Sequence, residues 1–166
     1  AGKHSMRGVW LAGGAALALL CALGGYLAPL QPNILALQFA FTPRAFGEVV
    51  HQWTGEPLHR FRMHLVADYA LLVSYGLFGY LLGTRTQVFQ AFEGRRRRWA
   101  AWTLPLAAAF DAVENTFHLW LTEVPRFGIA WPYLAAALAA SAKWVLLFGF
   151  GLAVVLALVR GRASGA

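Results

Sequence analysis

The sequence predicts an all-α fold: an integral membrane four-helix bundle with a short amphipathic helix in the first outer loop. Three observations lead there. Hydrophobic residues fill 59% of the 166 positions and charged residues only 13%, where a soluble domain carries roughly 45–50% and about 25%. A soluble protein this small needs polar residues to cover its surface, so composition argues against a soluble monomer, a disordered chain and a disulfide-rich scaffold alike. Four apolar stretches are long enough to cross about 30 Å of hydrocarbon. Most charged residues lie between or beyond those stretches.

Residues 1–6, Ala1-Gly2-Lys3-His4-Ser5-Met6, read as a cloning remnant ahead of a natural start at Met6, so His4 is set aside. Residues 7–162 then form a single four-span domain, with a tail at 163–166. The first span is Val9 to Leu30, 22 apolar residues. A signal peptide would have a shorter apolar region. Its cleavage point after Ala28 would precede Pro29, and Leu20 precedes Cys21 where a lipoprotein signal needs a small residue. The single cysteine, Cys21, excludes an internal disulfide and thiol-rich zinc motifs, and reads as an inert packing residue.

The outer loop spans residues 31–63. In it Leu35, Leu37, Phe39 and Phe41 alternate with smaller or polar residues, the pattern of an extended segment. Thr42-Pro43 reads as N-cap and first position of a helix reaching about Trp53. Phe46, Val49, Val50 and Trp53 share one face of it, and Gly55 and Pro57 end it. Such a helix suits a lid on the outer membrane surface.

The second span is Leu65 to Leu82, between Arg62 and Arg85; the third is Ala100 to Leu121. The fourth, Trp131 to Val159, has 29 residues and so tilts or projects. Trp10, Trp99, Trp102, Trp120 and Trp131 sit near span ends, as in an interfacial aromatic belt. No internal repeat, phosphate-binding loop or dinucleotide fingerprint is present.

The net charge of +7 would suggest nucleic acid in a soluble protein. Here its distribution predicts topology. Nine basic residues (Lys3, Arg7, Arg85, Arg95 to Arg98, Arg160 and Arg162) fall on one side of the four-span arrangement. Four (Arg44, Arg60, Arg62 and Arg126) fall on the other. The positive-inside rule then puts both termini of this multi-pass protein in the cytoplasm. The arginine run would touch anionic lipid headgroups. The expected partners are membrane lipids, with a second copy or a membrane complex as a further option, and no nucleic acid.

Ionisable residues inside a span are costly and mark function. There are four: Asp68, Asp111, Glu114 and Lys143, with His64 and His118 nearer span ends. Asp111, Glu114, Asn115 and His118 fall at i, i+3, i+4 and i+7, one stripe of the third helix; His64 and Asp68 share a face of the second. At 1.5 Å per residue Asp111 lies roughly 16 Å deep and Lys143 roughly 18 Å, which predicts an ion pair. Three acids face one lysine. The excess negative charge calls for protonation, for Arg60 and Arg62 to fold in, or for a bound cation.

These residues predict a lipid-like or small amphipathic ligand in a polar pocket open to the outer leaflet. Asp68, Glu114 and His118 would recognise it or transfer protons, and His64, Asp111, Asn115, Lys143 and Arg62 would complete the pocket. An alternative is a metal held by His64, Asp68, Glu114 and His118, or a haem between the two histidines. Another is an assembly subunit packing through Gly76, Gly79, the Ala135–Ala142 stretch, Gly149 and Gly151. The residues name no cofactor. A transporter is disfavoured, since four helices leave little room for alternating access.

Three elements carry a family likeness: Leu35-Ala36-Leu37-Gln38-Phe39-Ala40-Phe41-Thr42 before an amphipathic helix, Asp68 early in the second span, and Phe110-Asp111-Ala112-Val113-Glu114-Asn115 in the third, followed by Lys143. With these the chain resembles, over most of residues 28–150, a group of small, mostly uncharacterised four-helix bacterial membrane proteins. That resemblance implies topology, site position and a place in the bacterial inner membrane. More loosely, His64-xxx-Asp68 and Glu114-Asn115 resemble, in a different order and spacing, the polar residues of emopamil-binding, sterol-isomerase-like four-helix proteins. That likeness implies acid–base work on a lipid in a membrane cavity.

Overall fold

The computed structural model describes residues 2–163, with side-chain surroundings for residues 6–161. Ala1 and residues 164–166, parts of the expected remnant and tail, lie outside the described residues. Four long helices and two short ones follow in order: α1 (Gly2–Leu27), α2 (Ile34–Gln38), α3 (Pro43–Gln52), α4 (Glu56–Arg85), α5 (Gly94–Glu123) and α6 (Trp131–Ala163). No strand occurs among the described residues. Three stretches are long and apolar enough to cross a membrane: Met6–Leu27, Glu56–Arg85 and Trp131–Gly161. Helix α5 is as long as α4. It starts with four arginines and carries Asp111, Glu114, Asn115 and His118 through its second half, so apolarity alone does not make it a fourth span.

Local chemistry explains the boundaries. The Thr42 side chain accepts a hydrogen bond from Ala45 N at 3.2 Å, which caps α3 as its sequence predicts. Gly55 has φ 73°, a turn that favours glycine, and Pro57 sits in the first turn of α4. The expected helix stop at Gly55 and Pro57 is therefore also a helix start. Helix α4 begins at Glu56, well ahead of Leu65, and Arg60 clasps Glu56 across one turn at 2.7 Å.

The first part of the segment expected to be extended, Ile34–Gln38, is instead helical, and Phe39 continues it as a turn. No strand lies beside it to share a hydrogen-bond ladder, so the chain satisfies its own backbone: Ala36 N donates to Asn33 O, Phe39 N to Leu35 O and Ala40 N to Leu37 O. Leu37 and Ala40 turn inward while Leu35, Phe39 and Phe41 stay exposed. The first interhelical segment thus holds two short helices.

The long helices pack in a row: α1 on α4, α4 on α5, α5 on α6. The α4–α5 seam is close because glycine faces small or flexible partners. A Cβ on Gly76 would lie 3.2 Å from Ala108 Cβ. One on Gly79 would overlap Leu104, and one on Gly83 would overlap Ala101. The small residues of α4 are thus used inside the chain, as are Ala136, Ala137, Ala139 and Ala140 of α6, all buried. Helices α1 and α6 make no comparable contact, and the row stays open between them. Cys21, on a helix packed chiefly against α4, is exposed rather than packed.

Helices α2 and α3 cap one end of the row. Leu37, Phe46, Val49 and Trp53 are buried there with Phe61 and Leu65 of α4, Leu121 of α5 and Tyr133 of α6. Trp53 Nε1 donates to Pro32 O at 2.9 Å, which ties the cap to the chain leaving α1. Of the five tryptophans expected near the span ends, Trp10, Trp99, Trp102 and Trp131 are exposed. Trp120 is half-buried against Trp131.

Candidate functional site

The open seam forms a crevice of about 570 Å³. Leu17, Leu20 and Leu23 of α1 make one wall, and Trp144, Leu147 and Phe150 of α6 make the other. Its floor is polar: His64, Asp68 and Tyr75 from α4, Asp111 from α5 and Lys143 from α6. Gln38 of α2 lines the capped end, held by Trp144 Nε1, which donates to Gln38 Oε1 at 3.0 Å. Phe78, Leu104 and Phe150 line the far end, so polarity falls along the crevice from cap to base.

The expected ion pair is present. Lys143 Nζ lies 3.0 Å from Asp111 Oδ1 and 2.6 Å from Glu114 Oε2. The second contact is off-axis, and Oε2 has no aligned hydrogen-bond donor, so it is Coulombic. Tyr75 donates to Asp111 Oδ2 at 3.0 Å, and Asn115 Nδ2 donates to Asp68 Oδ2 at 2.8 Å. His64 Nδ1 lies 3.0 Å from Phe61 O. A carbonyl only accepts, so Nδ1 carries the proton. His118 Nδ1 stands 3.7 Å from Glu114 Oε1. All of these acids and both histidines are buried.

The structure divides the expected set. Asp68, His64, Asp111 and Lys143 border the crevice; Glu114, Asn115 and His118 do not. Glu114 and His118, each 1% exposed, lie behind the floor, where His118 packs on Phe46 and Phe61. Height along α5 separates them: Asp111, the end of the stripe farthest from the cap, reaches the open seam, while His118, the end nearest the cap, is covered by Phe46 and Phe61. The Glu114 carboxylate holds Lys143 from behind. Asn115 reaches the site through Asp68 alone.

Arg62 is not a pocket residue. With α4 starting at Glu56, Arg62 faces the end of α5, where it donates to Leu119 O (3.3 Å) and Thr122 Oγ1 (3.2 Å) and lies 3.8 Å from Glu123. Arg60 donates to Tyr26 O at 2.9 Å and pairs with Glu56. Neither arginine folds in to offset the three acids. The four residues of the metal reading are not gathered as a ligand set either. No group of three or more His, Cys, Asp or Glu among the described residues is placed to hold a metal ion. Asp68 is engaged by Asn115 and Glu114 by Lys143, and the Phe61 ring packs against both imidazoles, with centroids 5.4 and 5.9 Å away.

Sequence reasoning passed over Tyr75, Gln38 and Trp144. Tyr75 carried a signal: it continues the His64 and Asp68 stripe at i+7 and i+11. Gln38 and Trp144 meet across 106 positions, a pairing that no local pattern encodes.

No family model, no curated protein and no solved structure matches the chain.

Proposed function

We propose that the protein is a four-span bacterial inner-membrane protein that binds a lipid-like or small amphipathic ligand in the crevice between α1 and α6. The carrying observation is the crevice itself: apolar walls, an ionic floor, and polarity confined to its capped half. Its volume falls within the roughly 300–1,000 Å³ usual for small-molecule sites. An amphiphile would lay its tail between Leu20 and Leu147 and its head on His64 and Asp68. The arginine distribution supports cytoplasmic termini, which turn the capped end to the outer face. An outer-leaflet lipid would then enter sideways with its head already at the cap. In this reading α5 spans as well, its polar stripe shielded from lipid by α4 and α6. Asp68 recognises the ligand, and Glu114 and His118 support Lys143 rather than touch the ligand.

Glycines give the test. Nothing lies within 4 Å of a Cβ built on Gly24 or Gly151, both in the crevice wall. Gly24→Leu and Gly151→Leu therefore start from open space at Cβ and put apolar bulk in the crevice wall, and leucine is the better helix former. Native mass spectrometry of the full chain from mild detergent should show bound lipid or added amphiphile, lost in the double variant at unchanged melting temperature. Equal retention by the double variant overturns the reading.

A further inference from the structure

The crevice floor has a hydrogen-bonding polarity that specifies the ligand's head, given that the crevice is the ligand site proposed above. His64 Nδ1 donates to Phe61 O, so in the neutral tautomer the lone pair lies at Nε2. Asp68 Oδ2 takes the Asn115 amide, leaving Oδ1. No protein donor reaches Nε2 or Oδ1, yet neither belongs to the side-chain atoms sealed from outside without a partner. Both residues line the crevice, so both atoms open into it. Tyr75 commits its proton to Asp111; Trp144 holds Gln38 Oε1, which leaves the Gln38 amide NH₂ as a donor at the capped end of the crevice, apart from the floor. The one cation on the floor, Lys143, is held between Asp111 and Glu114.

The floor beside the apolar walls therefore presents acceptors at His64 and Asp68, in a cluster of three acids and one lysine from which Arg60 and Arg62 are turned away. We infer that the site selects a single-chain amphiphile whose head donates hydrogen bonds, an ammonium before a hydroxyl, and rejects carboxylate and phosphate heads. A donor head would bridge Asp68 Oδ1 and His64 Nε2 and supply the positive charge that the acid cluster lacks. An anionic head would meet Asp68 across the same space with no proton between them.

Dodecylamine, dodecanol and dodecanoate share one chain and differ only in the head. Native mass spectrometry of the full chain in neutral detergent at pH 7 gives apparent affinities for each. The amine should bind roughly tenfold tighter than the carboxylate, the factor expected of one charge-assisted hydrogen bond, with the alcohol between. Asp68→Asn keeps its amide oxygen for Asn115 and turns an NH₂ donor into the crevice, so it should abolish or reverse that order. Equal binding of all three that is still lost in the Gly24→Leu, Gly151→Leu double variant overturns the head-group inference and leaves the crevice as a tail site. Tightest binding by the carboxylate, or an order unchanged in Asp68→Asn at an unchanged melting temperature, overturns it as well. Absence of binding by any of the three removes both this inference and the crevice reading.

Discussion

Two seams between helices are both marked by glycine, with opposite consequences. Along α4–α5, Gly76, Gly79 and Gly83 meet Ala108, Leu104 and Ala101 so closely that added carbon collides or nearly so. Along α1–α6, Gly24 and Gly151 meet nothing within 4 Å. Glycine alone therefore does not mark a helix interface. Close approach needs a small or yielding partner at the same height, and α4 finds three. The closed seams also carry the internal polar contacts: Lys143 joins α6 by ion pairs to Asp111 and Glu114 of α5, and Asn115 joins α5 by a hydrogen bond to Asp68 of α4. The open seam exposes the other side of that network.

The largest expected effect comes from breaking the α5–α6 seam at its ion pair. Lys143→Met leaves Asp111 and Glu114 buried without their cation and should cost about 3–5 kcal/mol, read as a drop in melting temperature in detergent. Adding Glu114→Gln should restore part of it; no recovery would mean that the lysine matters through packing. Next is Gly83→Ala, whose methyl overlaps Ala101 and should cost about 1–3 kcal/mol by forcing α4 from α5. A neutral result would show that the α4–α5 seam yields. Tyr75→Phe removes one hydrogen bond to Asp111 and should cost about 1 kcal/mol; no change in melting temperature would place that bond outside the stabilising network. Smallest is Gly151→Ala, expected to stabilise by about 0.5–1 kcal/mol because only helix propensity acts there. Destabilisation instead would reveal packing against α1 and break the contrast between the seams.

Much of this was legible in the sequence. The polar stripe on α5 and the matched positions of Asp111 and Lys143 anticipated their contact, because helix rise converts sequence number into height. The Thr42-Pro43 start of α3 was equally local, being set by a side chain bonding three residues ahead. What misled was also local. Alternation over 35–41 suggested an extended chain, yet without a neighbouring strand the backbone closed its own turns. Gly55 and Pro57 gave a true break whose far side was another helix. Arg62, counted with the pocket, sits one helix face away from it.

The sequence by itself determined where the long helices lie and which residues share a stripe on each, since both follow from the 3.6-residue period and from composition. Tertiary structure decided which stripes meet. It packed α1 on α4, left α1 and α6 apart, put Glu114 and His118 behind the floor, and paired Gln38 with Trp144. A helix's own period fixes angles about its own axis. The angle it presents to a neighbour depends on side-chain shapes far away in the chain, and here the fit of Gly76, Gly79 and Gly83 against α5 closes one seam while the other stays open.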